Sequence, residues 1–361
     1  MKNGITVLYN AARHNMATFT LFPLVVLPQG RNFTLTANMD WVMEKDRNQA
    51  LLIVGWFKKS KNPTGEERIQ LDGLRAKYKV LAYLDDNDGT EIQQGGYVPW
   101  FDLWFKKQLF RDRALYLRTF RGYRLFAEYY ADKFAVEDEQ ELEPVTHLRP
   151  QDLDKLRLCW NITVGWYPLR PRLERVISLW VRLFGLRSAA LFVRAPRERQ
   201  RPEPLTAVCH ARFGSGGYRP TVGFQRKLFL EKVRGQPAFL AGRVPKSQYE
   251  KELKTVGGIL SPFGWGEVCY RDSEAVRNGA VLFKPQVDHM ETWPDLFQPG
   301  RTFVPLSWDG EDAAARVQEV LASETDRQAL AEEAWKVLRD AERGLAERVG
   351  FLESEIRSLM K

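Results

Sequence analysis

Residues 259–285, ILSPFGWGEVCYRDSEAVRNGAVLFKP, carry the clearest structural signal in the chain. The pattern indicates a strand, a loop with glycines, a helix and a second strand. Asp272 or Ser273 is suited to cap the start of this helix, and Gly279 is the residue type favoured just after its end. A strand, a helix and a further strand in succession predict a parallel sheet covered by helices, which is an α/β fold.

The same alternation extends toward the N-terminus. Apolar runs that begin at Leu51, Lys79 and Leu156 are predicted strands because they are short, apolar and bounded by polar or glycine-rich turns. Between them, residues 100–110 and 122–135 carry apolar side chains at helical spacing. The first half is therefore predicted to be an α/β unit of its own.

The second half repeats this organisation. The runs TAVCHARF, PAFLAG, GGILSPFGWG and GAVLFKP are predicted strands, and residues 222–233 and 248–253 are predicted helices. The chain from Gly310 onward is rich in Ala, Glu, Leu and Arg with helical periodicity. We therefore predict two Rossmann-like domains that face each other across a cleft, with helices at the C-terminus.

Length and composition give the expected domain boundaries. A chain of 361 residues favours two domains over one compact core. The segment RAPRERQRPEP, after Val193, holds three prolines and four arginines in eleven residues and cannot bury a core. We expect an N-terminal Rossmann-like domain over residues 1–190, a linker over 191–204, a C-terminal Rossmann-like domain over 205–330 and a C-terminal helix over 331–361.

The overall composition is that of a globular protein with an excess of positive charge. Lys and Arg number 54 against 46 Asp and Glu, a formal net charge of +8, which attracts anionic partners. The three cysteines lack the spacing of a zinc site or a disulfide framework, which favours a reducing compartment. The sequence shows neither a signal-peptide layout nor the roughly 18 apolar residues that span a bilayer, so we expect a cytoplasmic protein.

The glycine loop and the helix after it form a candidate phosphate site. Gly264 and Gly266 allow close backbone approach, and the free N–H groups of a helix N-terminus attract anions. Arg271 adds a positive charge there, and Glu274 can accept hydrogen bonds from a ribose diol. A purely structural loop, with Glu274 as a partner of the helix dipole, is the alternative.

Two cations follow another predicted strand, in LAGRVPKSQY. Arg243 and Lys246 come where side chains project from the carboxyl edge of a parallel sheet, the edge at which α/β proteins bind ligands. Cations at this edge would stabilise the negative charge that develops on a leaving diphosphate or phosphate. The alternative is that both are surface cations beside a loop.

These features resemble the donor-binding signature of GT-B glycosyltransferases of the group-1 type, which includes spore-maturation and surface-polysaccharide enzymes. The resemblance covers roughly residues 239–330 and includes the passage DHMETWPDLFQPGRTFVPLSWD. The positions that match in order are Ser261, Gly264, Gly266, Glu267, Glu274, Ala275, Lys284, His289 and Trp293. One departure is that Glu267 and Glu274 are seven positions apart, where the family pattern has eight.

The resemblance implies an enzyme that transfers a sugar from a nucleotide-sugar donor bound by the second domain to an acceptor presented by the first. We expect no metal requirement, because cationic side chains and a helix N-terminus can bind the phosphate groups. The resemblance also implies that Glu274 binds the ribose and that Glu267 lies near the donor sugar or the reaction centre. The predicted donor site also includes Trp265, Arg271, Asp272, Lys284 and His289. The implied acceptor is a cell-surface glycan or a lipid-linked saccharide.

The acceptor side of the predicted cleft needs a base. In YLDDNDG, Asp85, Asp86 and Asp88 directly follow an apolar strand, and a carboxylate at the carboxyl end of a strand is suited to be a general base. Asp85 and Asp86 are the candidates. A simple turn is the alternative, since Asp, Asn and Gly clusters often form turns, and no metal site is predicted from them.

Two further segments combine aromatic or apolar residues with basic ones. PWFDLWFKKQLFRDR, which includes Lys106, Lys107 and Arg111, is predicted to be a helix that either meets an anionic partner or packs on the core. Residues 173–187, LERVISLWVRLFGLR, resemble an interfacial helix, which would permit peripheral membrane contact; packing at the domain junction is the alternative.

Two other function classes remain open. The positive charge is also compatible with a basic nucleic-acid-binding or nucleic-acid-modifying protein, although no recognised binding motif is present. A catalytically inactive scaffold of the same fold is the third possibility. The resemblance favours the glycosyltransferase.

Overall fold

The computed structural model describes residues 2–10, 20–57, 61–164, 179–181, 183–192 and 205–361. The predicted linker over 191–204 lies largely outside these residues, and of the predicted interfacial helix over 173–187 only residues 179–181 and 183–187 are described. Within them the chain forms two parallel sheets, each with helices packed on it. The predicted α/β fold class with two Rossmann-like units is confirmed.

The first sheet contains six parallel strands in the order β2-β1-β3-β4-β5-β7. They are β1 (Lys2–Tyr9), β2 (Phe33–Thr36), β3 (Asn48–Val54), β4 (Val80–Asp85), β5 (Leu103–Lys106) and β7 (Leu156–Leu158). Alternate residues of β3 enter different cores, with Leu52 and Val54 on one face and Leu51 and Ile53 on the other. Both faces are covered, which explains why these strands are continuous apolar runs.

Residues 179–181 and 183–184 are helical, and four continuous α-helices are described in the first half of the chain. They are α1 (Phe22–Val26), α2 (Met39–Glu44), α3 (Gly65–Lys77) and α4 (Leu125–Phe134). Thr64 and Glu67 form a capping box at the start of α3. Helix α4 packs into the core of the second half, where Phe126 and Tyr130 lie beside Val222 and Phe263.

The second sheet contains five parallel strands in the order β13-β11-β10-β8-β9. They are β8 (Thr206–Ala211), β9 (Phe239–Ala241), β10 (Val256–Leu260), β11 (Val281–Pro285) and β13 (Val304–Leu306). Its helices, together with those at the C-terminus, are α5 (Pro220–Val233), α6 (Lys246–Glu252), α7 (Tyr270–Asn278), α8 (Ala313–Ala322), α9 (Glu324–Arg343) and α10 (Leu345–Ser358). Gly279 ends α7 with a φ of 74°, as predicted.

The predicted helix over residues 100–110 is wrong. This segment forms β5 and the short strand β6 (Gln108–Phe110). Within β5, Leu103 and Phe105 face one core while Trp104 faces the other, so the apolar period is two and not three to four. Buried apolar side chains on both faces blurred this alternation in the sequence.

A two-stranded antiparallel sheet joins the halves of the molecule. Strand β6 pairs with β12 (Met290–Thr292), and the backbone N–H of Arg111 donates to the carbonyl of His289 at 2.9 Å. Arg113 forms an ion pair with Glu291 beside this sheet. The final helix, α10, returns to the first half, where Leu352 and Ile356 pack in the same core as Val7.

Candidate active site

Loops from the carboxyl edges of both sheets meet at one place. The loop after β4 contains Thr90, whose backbone N–H donates to Glu267 Oε2, in the loop after β10, at 3.0 Å. Arg124, which precedes α4, donates from Nε to the carbonyl of Trp265 at 2.8 Å. Parallel α/β sheets bind their ligands at this edge, so the junction is the candidate active site.

Gly266 lies in direct contact with the first half of the chain. A Cβ atom at this position would lie 1.7 Å from the carbonyl oxygen of Asp88 and 2.6 Å from the N atom of Gly89. At Gly264, the same construction meets only side-chain atoms, at 3.5 Å or more. The close backbone approach predicted for these glycines therefore occurs at Gly266, and the approaching backbone belongs to the protein itself.

Glu267 and His289 form a buried pair at the junction. Glu267 is fully buried, and its Oε1 lies 3.5 Å from Nε2 of His289. Burial opposes the ionisation of Glu267, but His289 and the charge of Arg124 outweigh it, so the pKa of Glu267 lies below its usual value. Glu267 is thus a fixed negative charge at the meeting point of the two halves.

Glu91 is a second buried carboxyl group at the junction, and it is not among the residues predicted from the sequence. Its Oε1 accepts a hydrogen bond from the backbone N–H of Leu125 at 2.6 Å, and its Oε2 lies 3.4 Å from Arg124 Nη1. Burial and the nearby charge of Glu267 raise the pKa of Glu91 to about 7. The only sequence signal was its position in the loop after an apolar strand, which it shares with three aspartates.

Three predicted donor-site residues form a closed network below the loop. Asp272, which is fully buried, accepts hydrogen bonds from Ser261 Oγ at 2.6 Å, from Lys284 Nζ at 3.0 Å and from the backbone N–H of Cys269 at 2.8 Å. Ser261 and Lys284 are also fully buried. A carboxylate therefore already lies at the positive end of α7, where the sequence suggested a phosphate.

Arg271 and Glu274 are linked through Tyr249. Arg271 donates to the hydroxyl of Tyr249 at 3.1 Å, and this hydroxyl donates to Glu274 Oε2 at 2.7 Å. Arg271 also donates to the carbonyl of His210 at 3.0 Å, and Arg271 itself is buried. Glu274 remains half-buried in the second turn of α7, so its carboxylate borders the surface.

Arg243 and Lys246 lie apart from this network, on the exposed surface. They follow β9, the edge strand of the second sheet, whereas the loop of Gly266 follows the central strand β10. Lys246 Nζ lies 3.7 Å from Glu250 Oε1, with about 61% of its side chain exposed. Both cations are available to an anionic ligand at the carboxyl edge.

The predicted bases Asp85 and Asp86 are buried at the end of β4. Asp85 forms an ion pair with Lys106 at 3.2 Å, and both side chains are fully enclosed. The carboxylate of Asp85 also accepts from the backbone N–H of Asn87 at 2.9 Å, as in a turn. Asp88 is more open and pairs with Lys107 at 3.2 Å.

The open side of the glycine loop carries aromatic side chains. Trp265 is 41% exposed, and its ring centroid lies 5.3 Å from that of Tyr218. Arg226 lies 5.0 Å from the Tyr218 ring centroid and fixes the loop by donating to the carbonyl of Phe263 at 2.7 Å. The exposed ring of Trp265, backed by the half-buried Tyr218, is suited to stack on a planar base or a sugar.

The parts of the chain that the structure describes contain no group of three or more His, Cys, Asp or Glu side chains arranged to hold a metal ion. In the same residues, no helix combines the length and the apolarity that crossing a bilayer requires.

No protein-family model matches the chain, and no curated protein sequence is significantly similar to it. Among solved structures, the chain is similar to the β-glucosyltransferase of T4 phage, at 13% identity and a TM-score of 0.42 over 98% of this chain and 99% of that one. It is similar to the pneumococcal O-GlcNAc transferase GtfA, at 11% identity and a TM-score of 0.45 over 89% of this chain and 59% of that one. It is also similar to a glycosyltransferase from Rickettsia africae ESF-5, at 7% identity and a TM-score of 0.47 over the full length of both chains.

Proposed function

We propose that this chain is a glycosyltransferase that moves a hexose or a related sugar from a nucleotide-sugar donor to an acceptor. The main support is the meeting of the carboxyl edges of two parallel sheets at one buried acidic centre. Glu267 is held ionised there, while Glu91 has a pKa near neutrality. Two carboxyl groups whose pKa values are pushed apart are the usual equipment for moving a proton during group transfer.

The donor is proposed to bind along the carboxyl edge of the second sheet. Trp265 offers an exposed ring for stacking, and the half-buried Glu274 offers a carboxylate on α7. The exposed Arg243 and Lys246 supply positive charge for the diphosphate. Negative charge grows on the leaving phosphate as the glycosidic bond breaks, so fixed cations at this edge would lower the barrier.

Sugar transfer is proposed to need no metal ion, because these cations can neutralise the diphosphate. The test is donor turnover in the presence of EDTA. We expect the rate to stay within twofold of that in buffer. Complete loss of turnover that added Mg²⁺ or Mn²⁺ restores would contradict this part of the proposal.

The acceptor is proposed to be a cell-surface glycan or a lipid-linked saccharide, reached on the inner face of the cytoplasmic membrane. Among the described residues, eight large hydrophobic side chains are exposed, and four of them, Leu179, Leu183, Phe184 and Leu191, fall in one short segment. Residues 165–204 contain nine arginines and three glutamates. Apolar side chains within a strongly basic segment favour binding to an anionic lipid surface.

Vesicle co-sedimentation tests this contact. We expect binding to vesicles that contain phosphatidylglycerol, weakening as salt rises, and little binding to neutral phosphatidylcholine vesicles. The matched variants are Leu183→Ser and Ile69→Ser, since both residues are exposed. The first is expected to weaken binding and the second to leave it unchanged; equal binding by both variants would contradict the membrane contact.

A thermal-shift panel of UDP, GDP, ADP and CMP tests the donor class. A nucleotide at a hundredfold excess over its dissociation constant stabilises the folded state by about 2.7 kcal/mol. We expect one nucleotide of the panel to raise the melting temperature. Failure of all four, together with salt-sensitive binding to duplex DNA, would favour the nucleic-acid alternative that the net charge of +8 leaves open.

A further inference from the structure

The first half of the molecule contains a small cavity beside Glu91 that the donor site does not use. The cavity measures about 30 Å³. Aromatic side chains form much of its wall, and the lining residues include Glu91, Phe110, Tyr116, Phe120, Tyr123 and His147. A buried water needs about 10–15 Å³ of such space, so the cavity accommodates one or two water molecules or a hydroxyl-bearing group.

We propose that this cavity receives the acceptor hydroxyl and that Glu91 is the general base that removes its proton. This inference rests on the proposed glycosyltransferase function and names the acceptor side of the same site. It assigns the base to a residue that the sequence motifs did not include. The small volume of the cavity also implies that only the hydroxyl and the atoms next to it enter, so the acceptor must carry its hydroxyl at a narrow end of the molecule.

The position of Glu91 supports this role because its carboxylate is held in place and still borders the cavity. The backbone N–H of Leu125 and the guanidinium of Arg124 fix its two oxygens. Asp85, by contrast, is enclosed with Lys106. A carboxylate that lines a cavity can reach a ligand, whereas one that is sealed in an ion pair cannot.

Other residues that line the cavity are also held in place. The hydroxyl of Tyr116 donates to the carbonyl of Thr90 at 3.0 Å and accepts from the backbone N–H of Phe110 at 3.1 Å. Arg118 lies 4.2 Å from the ring centroid of Phe120. Fixed walls of this kind would hold the acceptor hydroxyl in one orientation, ready to attack the donor sugar.

The acceptor oxygen attacks the anomeric carbon of the donor sugar, and a new C–O bond forms. The bond between that carbon and the diphosphate oxygen breaks, and its electron pair leaves with the nucleoside diphosphate. The hydroxyl proton passes to the carboxylate of Glu91, which returns it to solvent before the next turnover.

The charged and titratable groups around Glu91 fit a base that works near neutral pH. Glu267 faces it from the second half of the chain and Arg124 from the start of α4. Tyr116, Tyr123, Arg118 and His147 line the cavity with it. Burial and Glu267 raise the pKa of Glu91 to about 7, so the carboxylate accepts a proton more readily than an exposed glutamate.

The test measures release of nucleoside diphosphate from UDP-glucose, GDP-mannose and ADP-glucose, with water and methyl glucoside as acceptors. Glu91→Gln keeps the size of the side chain and an oxygen for Leu125 N–H but removes the base. We expect kcat to fall by about 100-fold or more, while nucleotide affinity stays within twofold. The acid limb of the wild-type pH profile, near pH 7, should disappear. Glu139→Gln, the same change at an exposed site, should match the wild type.

A second variant tests the cavity itself. Leu115 lines it, and Leu115→Phe should fill it and raise the KM for the acceptor at least fivefold without changing nucleotide affinity. Glu91→Gln with kcat within threefold of the wild type, or with its acid limb intact, would overturn the role of Glu91. A wild-type chain that binds no nucleotide would instead overturn the glycosyltransferase proposal, so the two failures are distinguishable.

Discussion

At the scale of single residues, burial decides which ionisable groups serve the fold. His210 is fully buried, and its Nδ1 lies 3.2 Å from Arg271 Nη2. Since the guanidinium can only donate, Nδ1 carries no proton, and the proton of the neutral ring is on Nε2, 3.4 Å from Glu252 Oε2. Burial and the charge of Arg271 lower the pKa of His210 to about 4.

This shift predicts an acid-sensitive contribution to stability. The unfolded state binds a proton below about pH 6.5, while the folded state resists it until about pH 4. The contribution of His210 to the free energy of unfolding is therefore fully present above pH 6.5. It is lost progressively as the pH drops from about 6.5 to about 4. The free energy of unfolding, measured with urea, should fall between pH 7 and pH 5 by about 2 kcal/mol more in the wild type than in His210→Asn. Equal losses in both proteins would contradict the assignment.

The buried ion pair of Asp272 and Lys284 is expected to stabilise the fold without contacting the nucleotide. Removing one member of a buried ion pair leaves an uncompensated charge and costs about 3–5 kcal/mol. Lys284→Met should therefore lower the free energy of unfolding by about this amount. Nucleotide affinity, measured at a temperature where the variant is folded, should change less than threefold. A variant of wild-type stability with weakened nucleotide binding would instead make Lys284 a donor ligand.

At the scale of elements, the loop between β10 and α7 contacts the first half of the chain at Gly266. Gly266→Ala would force a methyl group into the backbone at Asp88, and overpacking of this kind costs on the order of 3 kcal/mol. Gly264→Ala adds only ordinary contacts and should stay within about 0.5 kcal/mol of the wild type. Chemical unfolding of the two variants measures the difference. Equal stabilities would contradict the account of Gly266.

Local signals in the sequence were sufficient for some elements and insufficient for others. Helix α7 and its end at Gly279 were predictable because the end signal is local. Residues 103–110 were not, because strands buried on both faces lose their alternation of polar and apolar residues. Glu91 could not be identified as a site residue, since its pKa depends on Glu267, which lies 176 positions later and approaches only when the halves dock. The roles of Arg243 and Lys246 remain predictions.

At the scale of the whole molecule, the C-terminal helix α10 packs in the core of the first half of the chain, although it follows the second sheet in sequence. Ile356 on α10 is fully buried beside residues of β1. Ile356→Ala should cost about 2–5 kcal/mol, since it leaves a cavity in that core. The exposed Leu359, which is 44% accessible, provides the matched control, and Leu359→Ala should cost less than about 1 kcal/mol. Similar losses at both positions would mean that α10 does not pack as described.

The halves of the molecule meet through β6 and β12, through Gly266 and through Glu267, so the candidate site exists only in the docked arrangement. Donor turnover by the wild type and by Glu267→Gln is the most direct measurement of the proposed function. We expect the wild type to release nucleoside diphosphate from one nucleotide sugar of a UDP, GDP, ADP and CMP panel. Glu267→Gln should still bind that nucleotide but turn over at least about 100-fold more slowly. Release by the wild type and the variant at the same rate, or by neither, would contradict a sugar-transfer centre at this junction.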